Sequence, residues 1–303
     1  MRTSLKQRTT LSTRRAGGAR PGGSAEILAA AFLWGTAGPV STLAPGGAST
    51  VGVSSVRMVV GGLLLFSLAA LTSRGRGLRA MLARDGRTRA MLAVGAVCAA
   101  LYQTAYYAAL ARTGVAVATV VALGCAPAFT GLIARTGLSR RWLASTVGAV
   151  AGCALLVGGG GGSGADPVGV LLALLCGLVY AVYTTITSRL IAGGEEPRAV
   201  TGALFGGAAL LLAPALFVLA PGWILAGTGL LITCYLGVLT IALAYTLFAR
   251  GLRTTPAATA TTLTLAEPAV AALIGLTLLG EDLGGLAAGG LALLAASLVV
   301  LVV

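Results

Sequence analysis

Histidine is absent from the 303 residues, and only eight acidic side chains stand against 21 lysines and arginines. Metal sites of the zinc type and histidine-based proton transfer therefore lose their commonest group. The five cysteines, Cys98, Cys125, Cys153, Cys176 and Cys234, form no C-x-x-C pair and all fall in apolar runs. Neither a metal cluster nor a disulfide framework has support, and small, soft core residues are the fitting role. Charged residues make up just 10% of the chain, hydrophobic residues 57%, and mean hydropathy is +0.96, which excludes an ordinary soluble domain. The five consecutive glycines from Gly158 are followed by no Lys-Ser or Lys-Thr and preceded by no strand pattern, so a phosphate cradle is not indicated. No cofactor is called for.

What the chain has in abundance is apolar runs of roughly 18 to 22 residues, each long enough to cross the hydrocarbon layer as a helix at about 1.5 Å per residue. The alternation of a membrane β-barrel is missing. The reading is an all-α polytopic membrane protein with ten spans, at about 25–43, 51–72, 90–111, 115–134, 142–158, 167–188, 199–220, 229–249, 257–279 and 283–303. Short connectors carry breakers such as Ala44-Pro45-Gly46-Gly47 and Ala220-Pro221-Gly222.

Residues 109–141 and 250–282 repeat one design at a constant offset of 141. Arg112/Arg253, Thr113/Thr254, Pro127/Pro268, Leu132/Leu273 and Ile133/Ile274 coincide without a gap, and Gly148/Gly289 and Ala151/Ala292 continue the register. The chain is thus an internal duplication: a basic tail over 1–24, a first five-helix repeat over 25–160, a glycine-rich linker over 161–166 and a second repeat over 167–303. An odd number of spans per copy gives the two repeats opposite orientations in the bilayer, a layout shared by secondary transporters.

The net charge of +13 would suggest nucleic acid in a soluble protein, but here the placement of the charges decides. Six basic residues lie in the amino-terminal tail and six between spans two and three (Arg74, Arg76, Arg79, Arg84, Arg87, Arg89). Arg135, Arg140, Arg141, Arg189, Arg198, Arg250 and Arg253 continue the set, while the alternate connectors hold only Arg112. By the positive-inside rule both termini are cytoplasmic. The twin arginines Arg14-Arg15 invite an export-signal reading, but no convincing small-residue cleavage site follows; a solvated tail that orients the first span and touches anionic lipid fits better.

Few polar groups enter the spans. Glu267 lies about eleven residues beyond Pro256, hence near the bilayer midplane. A carboxylate there is protonated, paired or facing a wet cavity. It is either a coupling or cation-binding group or a buried acid bonded to neighbouring helices. The adjacent Pro268 removes the amide partner of the Thr264 carbonyl, weakening the helix beside it. The first copy keeps the proline as Pro127 but has Ala126 in place of the acid, and both Pro127 and Pro268 are expected to kink and soften their helices. Arg57, the one base inside a span, either snorkels to the outer interface or turns inward to meet a carboxylate or phosphate. With Glu267 it would then suit a zwitterion.

Trp34, Tyr102 and Tyr183 lie deep and are expected to line a cavity, with Tyr106 on the helix face of Tyr102, and with Gln103, Tyr107 and Tyr180 nearby. Trp142 and Trp223 read as interfacial. Of Thr259, Thr261, Thr262 and Thr264, at least half are expected to bond their own helix. The stripes Ala144-Gly148-Gly152 and Gly285-Gly289 favour close helix packing, between the halves or in a homodimer.

Several motifs resemble the drug/metabolite transporter superfamily in its EamA-type ten-helix family. They are Ala31-Phe32-Leu33-Trp34-Gly35-Thr36, Arg57-Met58, Tyr107-Ala108-Ala109-Leu110-Ala111-Arg112-Thr113, and Leu265-Ala266-Glu267-Pro268-Ala269 running on to Leu278-Leu279-Gly280-Glu281. The resemblance spans about residues 25 to 303. In the first copy Gly137-Leu138-Ser139 replaces the family's glycine and glutamate; Glu281 keeps that acid in the second, in a capping or packing role. The resemblance implies a multi-pass carrier of the bacterial inner membrane. It would move small organic solutes such as amino acids, commonly outward, by alternating access with or without proton coupling. An exporter of lipophilic cations is the alternative, since a glutamate among aromatics also suits those; a scaffold or channel is less favoured.

Overall fold

The computed structural model describes residues 21–45, 48–135, 138–158, 166–219, 221–278 and 284–303. The basic tail with its twin arginines, most of the glycine-rich linker, and Glu281 lie outside the described residues. Among the described residues all regular structure is helical. The helices are α1 (Pro21–Gly35), α2 (Ala37–Ser41), α3 (Thr50–Leu71), α4 (Arg76–Leu82), α5 (Gly86–Ala134), α6 (Arg140–Gly158), α7 (Pro167–Ala192), α8 (Pro197–Leu219), α9 (Pro221–Ile224), α10 (Gly229–Cys234), α11 (Ala244–Gly251), α12 (Ala257–Leu263), α13 (Ala266–Leu278) and α14 (Gly285–Val302).

Among the described residues eight helical stretches are long and apolar enough to cross a bilayer: Val51–Leu71, Gly86–Gly114, Val117–Ala134, Pro167–Ala192, Pro197–Leu216, Gly229–Gly251, Ala257–Leu278 and Gly285–Val302. The protein is a multi-pass membrane protein. The expected first and fifth spans fall short of that mark. The first is split at Thr36 into α1 and α2, and α6 opens on Arg140 and Arg141.

Helix starts follow side-chain capping. Ser49 accepts the Gly52 amide at 3.0 Å, Asp85 that of Thr88 at 3.0 Å, and Ser139 that of Trp142 at 3.0 Å. Asp166 caps α7 through the Val168 amide at 3.2 Å, with Pro167 in the first turn. The third and fourth spans are joined without a loop. Helix α5 runs from one into the other and is interrupted at Gly114, whose φ of 77° and ψ of 167° lie in a region open essentially to glycine alone. An alanine there has room but not the backbone. Gly114→Ala is expected to cost about 1–3 kcal/mol, read as a lower unfolding temperature in detergent. In the eighth span, expected as a regular helix, Tyr235–Leu243 is π-helical.

The bundle is held by close crossings at small residues, where backbones approach without intervening side chains. Helix α3 lies on α8, and a methyl group added at Gly202 would come within 2.9 Å of the Leu65 carbonyl oxygen. Helix α6 lies on α14, where a methyl at Gly152 would meet Gly290 and Leu294, and Gly148 faces Ser297. That glycine stripe is therefore used within the chain; Gly285 and Gly289 meet no neighbour. Helix α5 packs along α7, with Gly177 against Ala122 and Cys125. Met58, Leu204, Phe205 and Leu265 are fully buried, while Leu71, Leu132 and Leu210 are 78, 70 and 69% exposed, the apolar exterior that acyl chains solvate. Trp142 and Trp223, expected at the interface, are buried at helix ends; Trp142 packs over Gly131.

The arginine-bearing connectors knit one end of the bundle. Arg250 pairs with Glu26 at 3.0 Å and Arg84 with Glu195 at 2.9 Å, while Arg189 donates to the Ile133 carbonyl at 2.9 Å and Arg141 to that of Val300 at 2.6 Å. At the other end Arg112 meets Asp166 at 3.1 Å, and this guanidinium holds the Asp166 carboxyl below its ordinary value.

Candidate functional site

The second copy's proline divides its helix. Pro268 has no amide to give the carbonyl four residues back and its ring crowds that carbonyl, so α12 stops at Leu263 and α13 restarts at Ala266. Pro268 then sits in a first turn, where no amide is needed. The Thr264 carbonyl is not orphaned, contrary to the sequence expectation: the Glu267 amide donates to it at 3.0 Å, three residues along instead of four. Glu267 thereby occupies the first turn of a half-helix inside the bundle, at its positive end. In the first copy, where a like kink was expected, α5 keeps helical dihedrals through Pro127, and Ala126 is fully buried. Of the four threonines Thr259, Thr261, Thr262 and Thr264, three bond the backbone of their own stretch: Thr261 and Thr262 to Ala258, and Thr264, just past α12, to Thr261. Thr262 also meets Thr146 of α6 at 2.9 Å.

Five of the six expected site residues share one small cavity of about 30 Å³. Trp34, Arg57, Tyr102, Tyr183 and Glu267 line it, joined by Leu123, Tyr180 and Tyr245. This space by itself has room for about one or two waters, and Trp34, Arg57 and Glu267 also line a larger one. Arg57 is half-buried and turned inward. It does not close on Glu267: the ion pairs among the described residues are Arg84–Glu195, Arg112–Asp166 and Arg250–Glu26. Two buried donors at the cavity, Trp34 Nε1 and Arg57 Nε, have no protein acceptor. Buried donors without a partner are uncommon, and these two belong to side chains lining a cavity in which an acceptor could meet them.

Two larger spaces reach Glu267 from the end opposite the arginine-rich connectors. One, of about 470 Å³, runs down between α2, the start of α3 and the end of the third span, past Ser41, Val53, Tyr107 and Leu110 to Arg57 and Glu267. The other, of about 380 Å³, passes Gly38, Tyr106, Thr119, Leu156 and Ala271. Tyr106, the sixth expected residue, stands in both and is fixed by a 2.7 Å hydrogen bond with Thr119. Gln103 is occupied elsewhere, donating to Ser54 at 2.8 Å and so tying the third span to α3 near Arg57.

Toward the arginine-rich end the cavity is sealed by rings. Phe205 lies 3.9 Å from Tyr245 by ring centroids, Trp34 lies 4.9 Å from Tyr245 and 5.5 Å from Phe248, and Tyr180 lies 5.2 Å from Tyr183. The Tyr183 and Tyr245 hydroxyls are 3.3 Å apart, and Tyr180 donates to Thr264 Oγ1 at 3.1 Å, anchoring the seal on the break before Glu267. Tyr245 and Phe205 were not singled out from sequence. Tyr245 stands five residues before Arg250, where a tyrosine reads as an interface anchor. The π-helical stretch just before it was the unreadable feature.

A membrane-spanning helical bundle with an ionisable, aromatic-lined pocket halfway along it is the architecture of a membrane transporter. The chain belongs to the EamA-like transporter family of the drug/metabolite transporter superfamily; the family matches it twice, over residues 23–158 and 167–303. The chain is 38% identical over 279 residues to the uncharacterized transporter YwfM of Bacillus subtilis (strain 168), covering 91% of this chain and 92% of that protein. An uncharacterized transporter of Clostridium kluyveri is 30% identical over 127 residues, 40% of each chain. A crystal structure 21% identical in sequence superposes with a TM-score of 0.77, covering 93% of this chain and 96% of its own, and shares the fold.

Proposed function

We propose that the protein is a secondary transporter of small zwitterionic metabolites such as amino acids, working by alternating access across the bacterial inner membrane as an exporter. The observation that carries this reading is that Arg57, Trp34 and Glu267 line both the small cavity and the larger vestibule, with no ion pair between the charged groups and no protein acceptor for Arg57 Nε or Trp34 Nε1. A carboxylate ligand would satisfy the first two, and an ammonium or a proton the third. The larger vestibule, about 470 Å³, is of the size that takes a small metabolite.

The reading takes α1–α2 and α6 as two further crossings, making ten, in two inverted five-helix repeats with both termini cytoplasmic. What supports it is the twofold match of the family and the pairing of repeat-equivalent helices, α3 with α8 and α6 with α14. With arginines inside, the ring seal is the cytoplasmic gate and the two vestibules open outward. The rings around Glu267 also favour a second reading, a lipophilic-cation exporter, through cation–π attraction. Arg57 in the same cavity repels a permanent cation and weighs against it.

The test is uptake into proteoliposomes with amino acids and ethidium-like cations as competitors at two pH values. Competition by amino acids and its loss in Arg57→Met, which keeps length without charge, is the expected result. Competition by the cations alone, unaffected or improved in Arg57→Met, would overturn the zwitterion reading.

A further inference from the structure

Away from the Glu267 cavity, α3, α8 and the π-helical stretch leave a groove of about 390 Å³ toward the arginine-rich end. Its walls are hydrocarbon: Leu64, Leu65 and Leu68 of α3 face Val238, Leu239 and Leu243 of the π-helical turn. From Leu64 to Thr72 the groove runs roughly 12 Å at about 1.5 Å per residue, the reach of an acyl segment and not of a compact solute. Its mouth is polar, with Thr72, Thr201, Thr246 and Arg198. The hydroxyl protons are spent on their own helices, Thr72 on Leu68 at 2.7 Å, Thr201 on Pro197 at 2.9 Å and Thr246 on Ala242 at 2.7 Å. Arg198 is therefore the mouth's cationic donor. It is exposed, and none of the ion pairs among the described residues includes it. Of the neighbouring acids, Glu195 is held by Arg84 at 2.9 Å, and Glu196 lies over Gly77 of α4.

We propose that this groove binds an anionic phospholipid of the leaflet on the arginine-rich side, its phosphate on Arg198 and one acyl chain between α3, α8 and the π-helical turn. In a bilayer the solvent of such walls is hydrocarbon, and a basic mouth between helices selects an anionic headgroup. The chain backs the aromatic seal: Thr201 stands one turn before Phe205 and Thr246 follows Tyr245, the two rings 3.9 Å apart. Bound lipid thus braces the closed gate from behind.

The test uses the full chain in detergent micelles, followed by thermal unfolding with added phosphatidylglycerol, phosphatidylcholine of the same chains, or inorganic phosphate. Phosphatidylglycerol is expected to raise the unfolding temperature saturably, and the other two to leave it in place. Arg198→Gln should weaken that effect about fivefold in lipid concentration, the factor for one basic residue near a membrane surface, and Arg198→Lys should retain most of it. Val238→Trp fills the groove from a position 40% exposed and should abolish the shift without altering unfolding in its absence. An equal shift with phosphatidylcholine, an equal shift with inorganic phosphate, or an undiminished one in Arg198→Gln would overturn the proposal.

Discussion

Replacing Glu267 by glutamine should leave a protein that inserts and purifies normally but transports at least about tenfold more slowly, with its pH dependence gone. Glutamine matches the shape and removes only the charge and the titration. The sequence offers few other sources of pH dependence, having no histidine and only eight acids. Among the described residues the other acids sit at the ends of the bundle: Glu26 on Arg250, Glu195 on Arg84, Asp166 on Arg112, Asp85 capping α5, and Glu196 beside α4. Asp85 and Asp166 are held below the ordinary carboxylate value of 3.8, by hydrogen bonds from Thr88 and Arg112 respectively. The stabilisation each provides is complete above that ordinary value and is lost only as pH falls through the lower, folded one. Neither changes charge between roughly pH 5 and 8, the interval in which transport should be measured. Transport by Glu267→Gln that keeps both its rate and its pH profile would make the carboxylate a structural group.

Gly38→Trp should block the protein without unfolding it. Gly38 borders both larger spaces, about 470 and 380 Å³, and a side chain built there meets nothing within 4 Å. An indole then fills the approach to Glu267 instead of wedging helices apart, unlike a large residue at Gly202 or Gly152, which would collide with opposing backbone. Transport is expected to fall to background while the unfolding temperature stays near that of the unmodified protein. Normal transport by Gly38→Trp would mean that solute reaches the cavity by neither space.

How much of this was legible in the sequence depended on the kind of signal. Hydropathy gave the membrane class, and the 141-residue register gave the duplication, because both are written in residue type and spacing alone. Glu267 stood out because a carboxylate at hydrocarbon depth is costly and hence rare. Whether Arg57 turned inward was not readable, since its long stem reaches either way and only the packing of α3 fixes its direction. The link from the third span to the fourth falls within the expected 112–114, but that a single glycine, Gly114, makes it without a loop was not readable. The part played by Tyr245 was hidden by the π-helical turn, which shifts side-chain facing without a sequence marker. A proline also reads the same in both copies although its neighbours decide the outcome. Pro127 is absorbed into α5, and Pro268 ends α12.

That last difference makes the two copies unequal mechanical partners. The unbroken stretch carrying Pro127 is a strut along α7, whereas its counterpart is two short rods meeting at Thr264 and Leu265, with Tyr180 fastened to the joint. Although one family matches both copies, the expected motion is lopsided: the later copy articulates, and the earlier one supplies the frame it swings against.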